Sequence, residues 1–187
     1  WEKNLKKMFR LGVNHFSAYA LTVEPKTILK HLIDTKKIAP LEDEIIVAHF
    51  NTLVQFSAEN NFIHYEISNL GKEGFFSNHN TAYWKNQHYM GIGPSAHSFN
   101  GDSRQWNISS NKQYIEKITT DNSCFEIEKL NNEQQYNEYI LTSLRTMWGV
   151  KLSYISTQFG IDAKKYFKHQ IQNWKNQEKI KQNKDNY

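Results

Sequence analysis

Before residue 68 the hydrophobic pattern alternates between helical and strand spacing, and few architectures accommodate that alternation. Trp1, Leu5, Met8 and Phe9 recur on one helical face. Gly12 follows where a helix commonly stops. His15-Phe-Ser-Ala-Tyr-Ala-Leu21 is then apolar on both faces, which suits a strand buried in a parallel sheet. Glu24-Pro25 breaks that run, and a short helical piece from Thr27 to about Asp34 leads to Pro40. Leu41-Glu-Asp-Glu44 opens a longer helix, its acids complementing the positive end of the helix dipole. Ile45, Ile46, Phe50, Leu53 and Val54 form its expected buried stripe, and Phe62-Ile-His-Tyr-Glu-Ile67 is the next strand. Helix, strand, helix, strand in this order predicts an α/β fold on a parallel sheet. No N-cap residue precedes Trp1, so the chain is expected to begin within or at the edge of a helix, as a fragment would.

Residues 68–107 lose this periodicity and are rich in Gly, Asn, Ser, His and aromatics. A long irregular stretch in a compact domain is functional or disordered. Phe75, Phe76, Tyr83, Trp84, Tyr89 and Trp106 argue against disorder, so an ordered, site-forming segment is expected. From about residue 111 the chain turns helical, through Tyr114, Ile115 and Ile118 and then Glu133 to Met147, with Tyr136, Ile140, Leu141 and Leu144 on one face. Phe125–Leu130 alternates like a short strand between them. Gly149 stops the long helix, Leu152-Ser153 begins a short one ended by Phe159-Gly160, and Ile161-Asp162 caps a last one running to about Ile180. Helices joined by tight glycine turns resemble a small helical or winged-helix module.

The totals exclude several classes. One cysteine, Cys124, gives no disulfide framework. No apolar run approaches the roughly 18 residues that span a bilayer, and Trp1 leads into a charged amphipathic stretch rather than a signal peptide, so a cytoplasmic protein is expected. The net charge of +4 does not by itself indicate nucleic acid. Its excess sits late, at Lys164, Lys165, Lys168, Lys175, Lys179, Lys181 and Lys184, where a solvated helix face explains it better than a polyanion site. The basic helix after Asp162 lacks an Arg or Asn cluster suited to reading bases. Eight histidines occur without an HxH or HExxH pair, so no zinc site is expected, and His64 and His88 read as ordinary core or surface histidines.

Three strings can carry chemistry. Gly91-Ile-Gly-Pro-Ser-Ala-His-Ser-Phe99 places two glycines where a backbone can approach a ligand and expose amides. A tight turn reads as well. The string is neither a dinucleotide fingerprint nor a hydrolase elbow. His79-Asn-Thr-Ala-Tyr-Trp84 sets an imidazole beside an amide and two aromatic rings, able to ligate haem iron and pack on a porphyrin, or simply to cap an aromatic cluster. Tyr65-Glu-Ile-Ser-Asn69 puts Glu66 near the C-terminal end of a strand, where barrel active sites form, and Glu24 shares that placement; a structural salt bridge is the alternative for both.

Taken together, His15-Phe-Ser-Ala-Tyr-Ala-Leu-Thr-Val-Glu-Pro25, His64-Tyr-Glu-Ile-Ser-Asn69, His79-Asn-x-x-Tyr-Trp84 and Gly91-Ile-Gly-Pro-Ser-Ala-His-Ser98 resemble, in order, the HemW/HemN family of radical S-adenosylmethionine proteins. HNxxYW favours its haem-chaperone branch over its oxygen-independent coproporphyrinogen III oxidase branch. The resemblance covers most of residues 1–160 and implies an α/β fragment: the C-terminal part of a partial (β/α) barrel over residues 1–108, then a small, mainly helical, winged-helix-like domain over 109–187. It implies haem bound through His79 with Tyr83 and Trp84 around it. It also implies that Ala20 and the Gly91, Gly93, Ser95 and His97 loop lie in the S-adenosylmethionine vicinity. The family's cluster cysteines have no counterpart in this chain, whose single cysteine cannot supply the three thiolates of a [4Fe–4S] cluster. Cluster and S-adenosylmethionine chemistry are therefore expected only of a full-length parent, and the catalytic residues stay unassigned. A haem chaperone passing haem to an acceptor protein is the leading expectation. The oxidase, and a helical binding module outside the family, are the alternatives. Exposed sheet edges of a partial barrel would also favour self-association.

Overall fold

A computed structural model describes residues 1–120, 122–183 and 185–187; of the late lysines, Lys184 lies outside the described residues. Two compact units divide the chain, Trp1–Ser77 and Asn78–Tyr187. This division falls before the expected boundary after residue 108, because the strands near residues 97–107 pair with one near residue 127 and so join the second unit.

In the first unit, α1 (Glu2–Arg10) buries Leu5, and Leu11 caps it before Gly12 at φ 69°. β1 (His15–Ser17) follows, then α2 (Ile28–Asp34), α3 (Asp43–Glu59), β2 (Ile63–Glu66) and β3 (Asn69–Gly71). Thr27 caps α2 through its side chain, accepting from the Lys30 amide. The sheet order is β1-β3-β2, with β3 antiparallel to both neighbours. β1 and β2 thus run in the same direction, as the alternating pattern predicts, but they are not neighbours. The turn at Ile67-Ser68 sends the chain back as a strand between them, and the expected adjacent parallel pair is not formed. Leu5, Leu53, Phe62 and Leu70 make the core, with Phe9, Phe16 and Phe56 packed on it. The expected stripe of α3 is corrected here. Of that stripe Leu53 is buried as expected, together with Ser57, whereas Ile45 and Phe50 are exposed.

The second unit contains α4 (Asn78–Trp84), β4 (His97–Phe99), β5 (Ser103–Asn107), α5 (Asn111–Thr119), β6 (Phe125–Lys129), α6 (Asn132–Leu144), α7 (Leu152–Gln158) and α8 (Ile161–Asn176). Residues 68–107 are therefore more regular than their composition suggests. β4, β5 and β6 form an antiparallel sheet in that order, with His97 opposite Trp106 and Arg104 opposite Glu128. α6 starts at a capping box, in which the Asn131 side chain and the Gln134 amide, and the Gln134 side chain and the Asn131 amide, satisfy each other. Gly160, at φ 91°, rather than Asp162, is the N-cap of α8; Asp162 sits in its first turn. Val150, Leu152, Ile155, Phe167 and Ile171 form the core, and Tyr136, Tyr139 and Ile140 pack against it. Leu141 and Leu144, expected in that face, are exposed instead. Asp185 caps α7 through the Ser153 amide and hydroxyl, and those hydrogen bonds hold its carboxyl below the usual carboxylate range. Among the described residues no helix is long and apolar enough to cross a membrane.

Candidate functional site

α4 exposes the HNxxYW string on two different faces. His79 and Tyr83 are four residues apart, so they share one side of the helix. Their rings meet edge to face with centroids 4.8 Å apart, and both are exposed. Tyr83 in turn meets the Tyr89 ring at 4.5 Å. Burial pushes the Tyr89 hydroxyl up, and the nearby Arg104 charge works against that shift. An imidazole open to solvent beside a tyrosine ring can accept a flat ligand that offers a metal ion. Trp84 is turned away from this pair. Five residues place it on another side of the helix, and its ring lies 5.3 Å from the Arg145 guanidinium. Its indole Nε1 is buried without a hydrogen-bond partner, so ring contact rather than N–H donation fixes it. The string therefore divides into an exposed His79–Tyr83 pair and a separately anchored Trp84.

The Gly91–Phe99 loop is built by its own hydrogen bonds. The Gly91 amide donates to Ser98 Oγ at 2.9 Å, the Gly93 amide to the Tyr114 hydroxyl at 3.3 Å and the Ser95 amide to the Ile108 carbonyl at 3.2 Å. These amides point at the protein, not outward, which corrects the reading of the glycines as a source of free amides. Gly91 is needed because a Cβ there would come within 2.2 Å of the His97 carbonyl oxygen. Gly93 is needed for its φ of 102°, and Ser95 carries a left-handed φ of 59°. Sequence reasoning missed Asn107. It is buried at the end of β5, and its Nδ2 donates to the Gly91 and Gly93 carbonyls at 3.3 and 2.9 Å. A lone Asn at a strand end carries no pattern that could have flagged it. His97 is exposed, its ring 6.5 Å from Trp106, and Ile92 stands at the loop's outer edge.

In the first unit, Ala20 lines an apolar cleft of about 320 Å³ with Tyr19, Leu21, Leu41, Val47 and Phe50. Glu66 closes β2 and is buried; its carboxylate accepts from the Ser68 amide at 3.0 Å and from Asn69 Nδ2. Ser17 Oγ donates to Asn69 Oδ1, tying β1 to the same turn. That geometry makes Glu66 a builder of the β2–β3 turn. Glu24 is exposed, with its carbonyl accepting the Thr27 hydroxyl. His15 Nε2 lies 2.9 Å from the Tyr65 hydroxyl, and burial lowers the histidine's pKa against the opposing pull of Glu66. Ser77 donates its amide to the same hydroxyl at 3.3 Å.

The residues present do not fit an iron–sulfur cluster. Cys124 is the one thiol, partly buried before β6, and among the described residues no group of three or more His, Cys, Asp or Glu converges to hold a metal ion. His79 remains a single, open imidazole suited to iron that arrives already held by a macrocycle.

No protein-family model matches the chain. It is 32% identical over 163 residues to the haem chaperone HemW of Bacillus subtilis, covering 85% of this chain and 42% of that protein. It is 30% identical over 145 residues to the haem chaperone HemW of Mycobacterium tuberculosis, covering 76% and 37%. The mitochondrial radical S-adenosyl methionine domain-containing protein 1 of Danio rerio matches at 33% over 97 residues, 52% of this chain and 22% of that one. The chain thus spans less than half the length of these relatives. Among solved structures, the radical SAM enzyme coproporphyrinogen III oxidase (HemN) from Escherichia coli superposes with a TM-score of 0.67 at 15% identity, over 89% of this chain and 41% of that one, a likeness of fold.

Proposed function

Because the chain belongs to the HemW/HemN family of radical SAM proteins, we propose that it forms the haem-binding part of a cytoplasmic haem chaperone. His79 would hold the haem iron through its imidazole, and Tyr83 would pack against the macrocycle. The observation that carries this reading is the exposed His79 imidazole, held edge-on to the Tyr83 ring at 4.8 Å on a surface helix. Haem is here the cargo, to be handed to an acceptor protein. The match to two HemW chaperones by sequence favours transfer over the oxidase reading. On the same reading, Ala20 and the loop of Gly91, Gly93, Ser95 and His97 approach S-adenosylmethionine in a full-length protein. Residues 1–108 belong there to a radical SAM barrel, which carries the [4Fe–4S] cluster on other residues, and 109–187 to a C-terminal helical domain. Trp84 supports the haem helix from behind rather than touching haem.

A haem titration followed by absorbance, comparing this chain with its His79→Ala variant, tests the assignment. A saturable Soret shift that the variant loses is expected. Equal binding by both proteins removes His79 as the ligand. Conversion of coproporphyrinogen III by the full-length protein would move the function to the oxidase branch.

A further inference from the structure

α4 has seven residues and none of them is buried. A surface helix this short is not oriented by a core of its own, so the direction in which it presents His79 depends on side-chain contacts from neighbouring elements. Two sets of contacts supply it, and both lead to α6. On one side the Tyr83 ring rests on Tyr89 at 4.5 Å. Tyr89 is pinned to Phe99 by paired backbone hydrogen bonds of 2.9 Å each; Phe99 is in turn the strand partner of Arg104, whose charge acts on the Tyr89 hydroxyl. The Arg104 guanidinium then meets Glu138 of α6 at 2.7 Å. On the other side the Trp84 ring is faced by the guanidinium of Arg145, the C-cap of α6, at 5.3 Å. Just beyond α4, Lys85 Nζ sits 4.5 Å over the Trp148 ring in the connection from α6 to α7.

Resting on the assignment of His79 as haem ligand, we propose that Arg145 and the Arg104–Glu138 pair are positioning residues that set how His79 is presented, so that α6 governs haem affinity without touching haem. Neither group needs to approach the ligand. Arg145 acts through Trp84, and Arg104 through Tyr89 and Tyr83. The buried Trp84 Nε1 has no acceptor, which leaves the cation–ring contact as the polar interaction of that side chain. An arginine is well suited to it, since its planar guanidinium stacks on an indole while staying charged at any relevant pH.

The test uses the full chain and two readouts. One is haem affinity by Soret titration. The other is the chemical shift of the His79 ring protons without haem, which senses the Tyr83 ring edge-on to it. Arg145→Gln is expected to weaken haem binding by up to about ten-fold, bounded by the full worth of one cation–ring contact, and to move the His79 resonances. Arg145→Lys, which keeps a cation over the indole, is expected to restore most of both. Glu138→Gln, loosening the other hold, is expected to change the same two readouts, and it serves alone where Arg145→Gln does not fold. The proposal is overturned if both glutamine variants leave the His79 resonances and the affinity as they are, or if Arg145→Lys behaves like Arg145→Gln. Should His79→Ala bind haem like the parent protein, the ligand assignment falls, and the His79 shifts still decide whether α6 positions that ring.

Discussion

Single residues in this protein often do a different job from the one their type suggests. Gly91 is an example: its φ is ordinary, yet the His97 backbone occupies the space of its Cβ. Gly91→Ala is expected to cost about 1–3 kcal/mol through forced displacement of that backbone, read as a lower urea midpoint. Asn107→Ala leaves two part-buried carbonyls without their donor, and a loss of about 1 kcal/mol is expected. His15 gives a pH signature. Its pKa is lowered by burial from the ordinary 6.5, so the unfolded chain takes up the proton first. The stability from keeping it neutral is complete above pH 6.5 and declines as the pH falls through and below that value. Urea midpoints measured from pH 7.5 to 5.5 should fall for the parent protein, and less steeply for His15→Gln. At this scale the sequence marked His79 and Tyr83 as candidates through a recognisable string, and the structure brings their two rings together. The sequence hid Trp84's separate attachment, because the string does not show that Arg145, far along the chain, faces the indole.

Elements were legible where period and punctuation agreed. α1, α2 and α3 begin and end close to where Gly12, Thr27 and the acids of the first turn place them. Topology was not legible in the same way. The five residues from Tyr65 to Asn69 read as a strand's end and its loop, and the antiparallel return of β3 depends on Glu66 accepting from Ser68 and Asn69 inside the turn. Such short-range hydrogen bonds leave no periodic trace. Burial along α3 and α6 was misjudged for a related reason: an apolar stripe records what a helix can bury, and Phe50, Leu141 and Leu144 remain exposed here. The capping box that opens α6 is a sharper feature. Asn131→Ala removes a cap and is expected to destabilise α6 by about 1 kcal/mol, seen as faster amide exchange at Glu133, Gln134 and Gln135. If α6 governs His79, the same variant should also weaken haem binding.

Each unit has its own buried cluster, Leu5, Leu53, Phe62 and Leu70 in one and Val150, Leu152, Ile155, Phe167 and Ile171 in the other. Leu70→Ala is expected to cost about 2–5 kcal/mol, with protection against hydrogen exchange lost within residues 1–77. In that unit β1 and β2 are both edges of the sheet, and Tyr19 and Leu21 beside β1 are 73% exposed. Unpaired edges flanked by apolar surface favour pairing with a second copy, so light scattering should show mass rising with concentration; a constant monomer mass would refute this.

Trp84 lies on the same helix as His79, five residues along, which is about 7.5 Å of axial rise. A haem on His79 would therefore absorb the emission of that indole with near-complete efficiency. On the proposed haem-chaperone reading, loading and release have a built-in optical reporter: the part of the tryptophan fluorescence that Trp84→Phe removes should go dark on loading and return when an acceptor takes the haem.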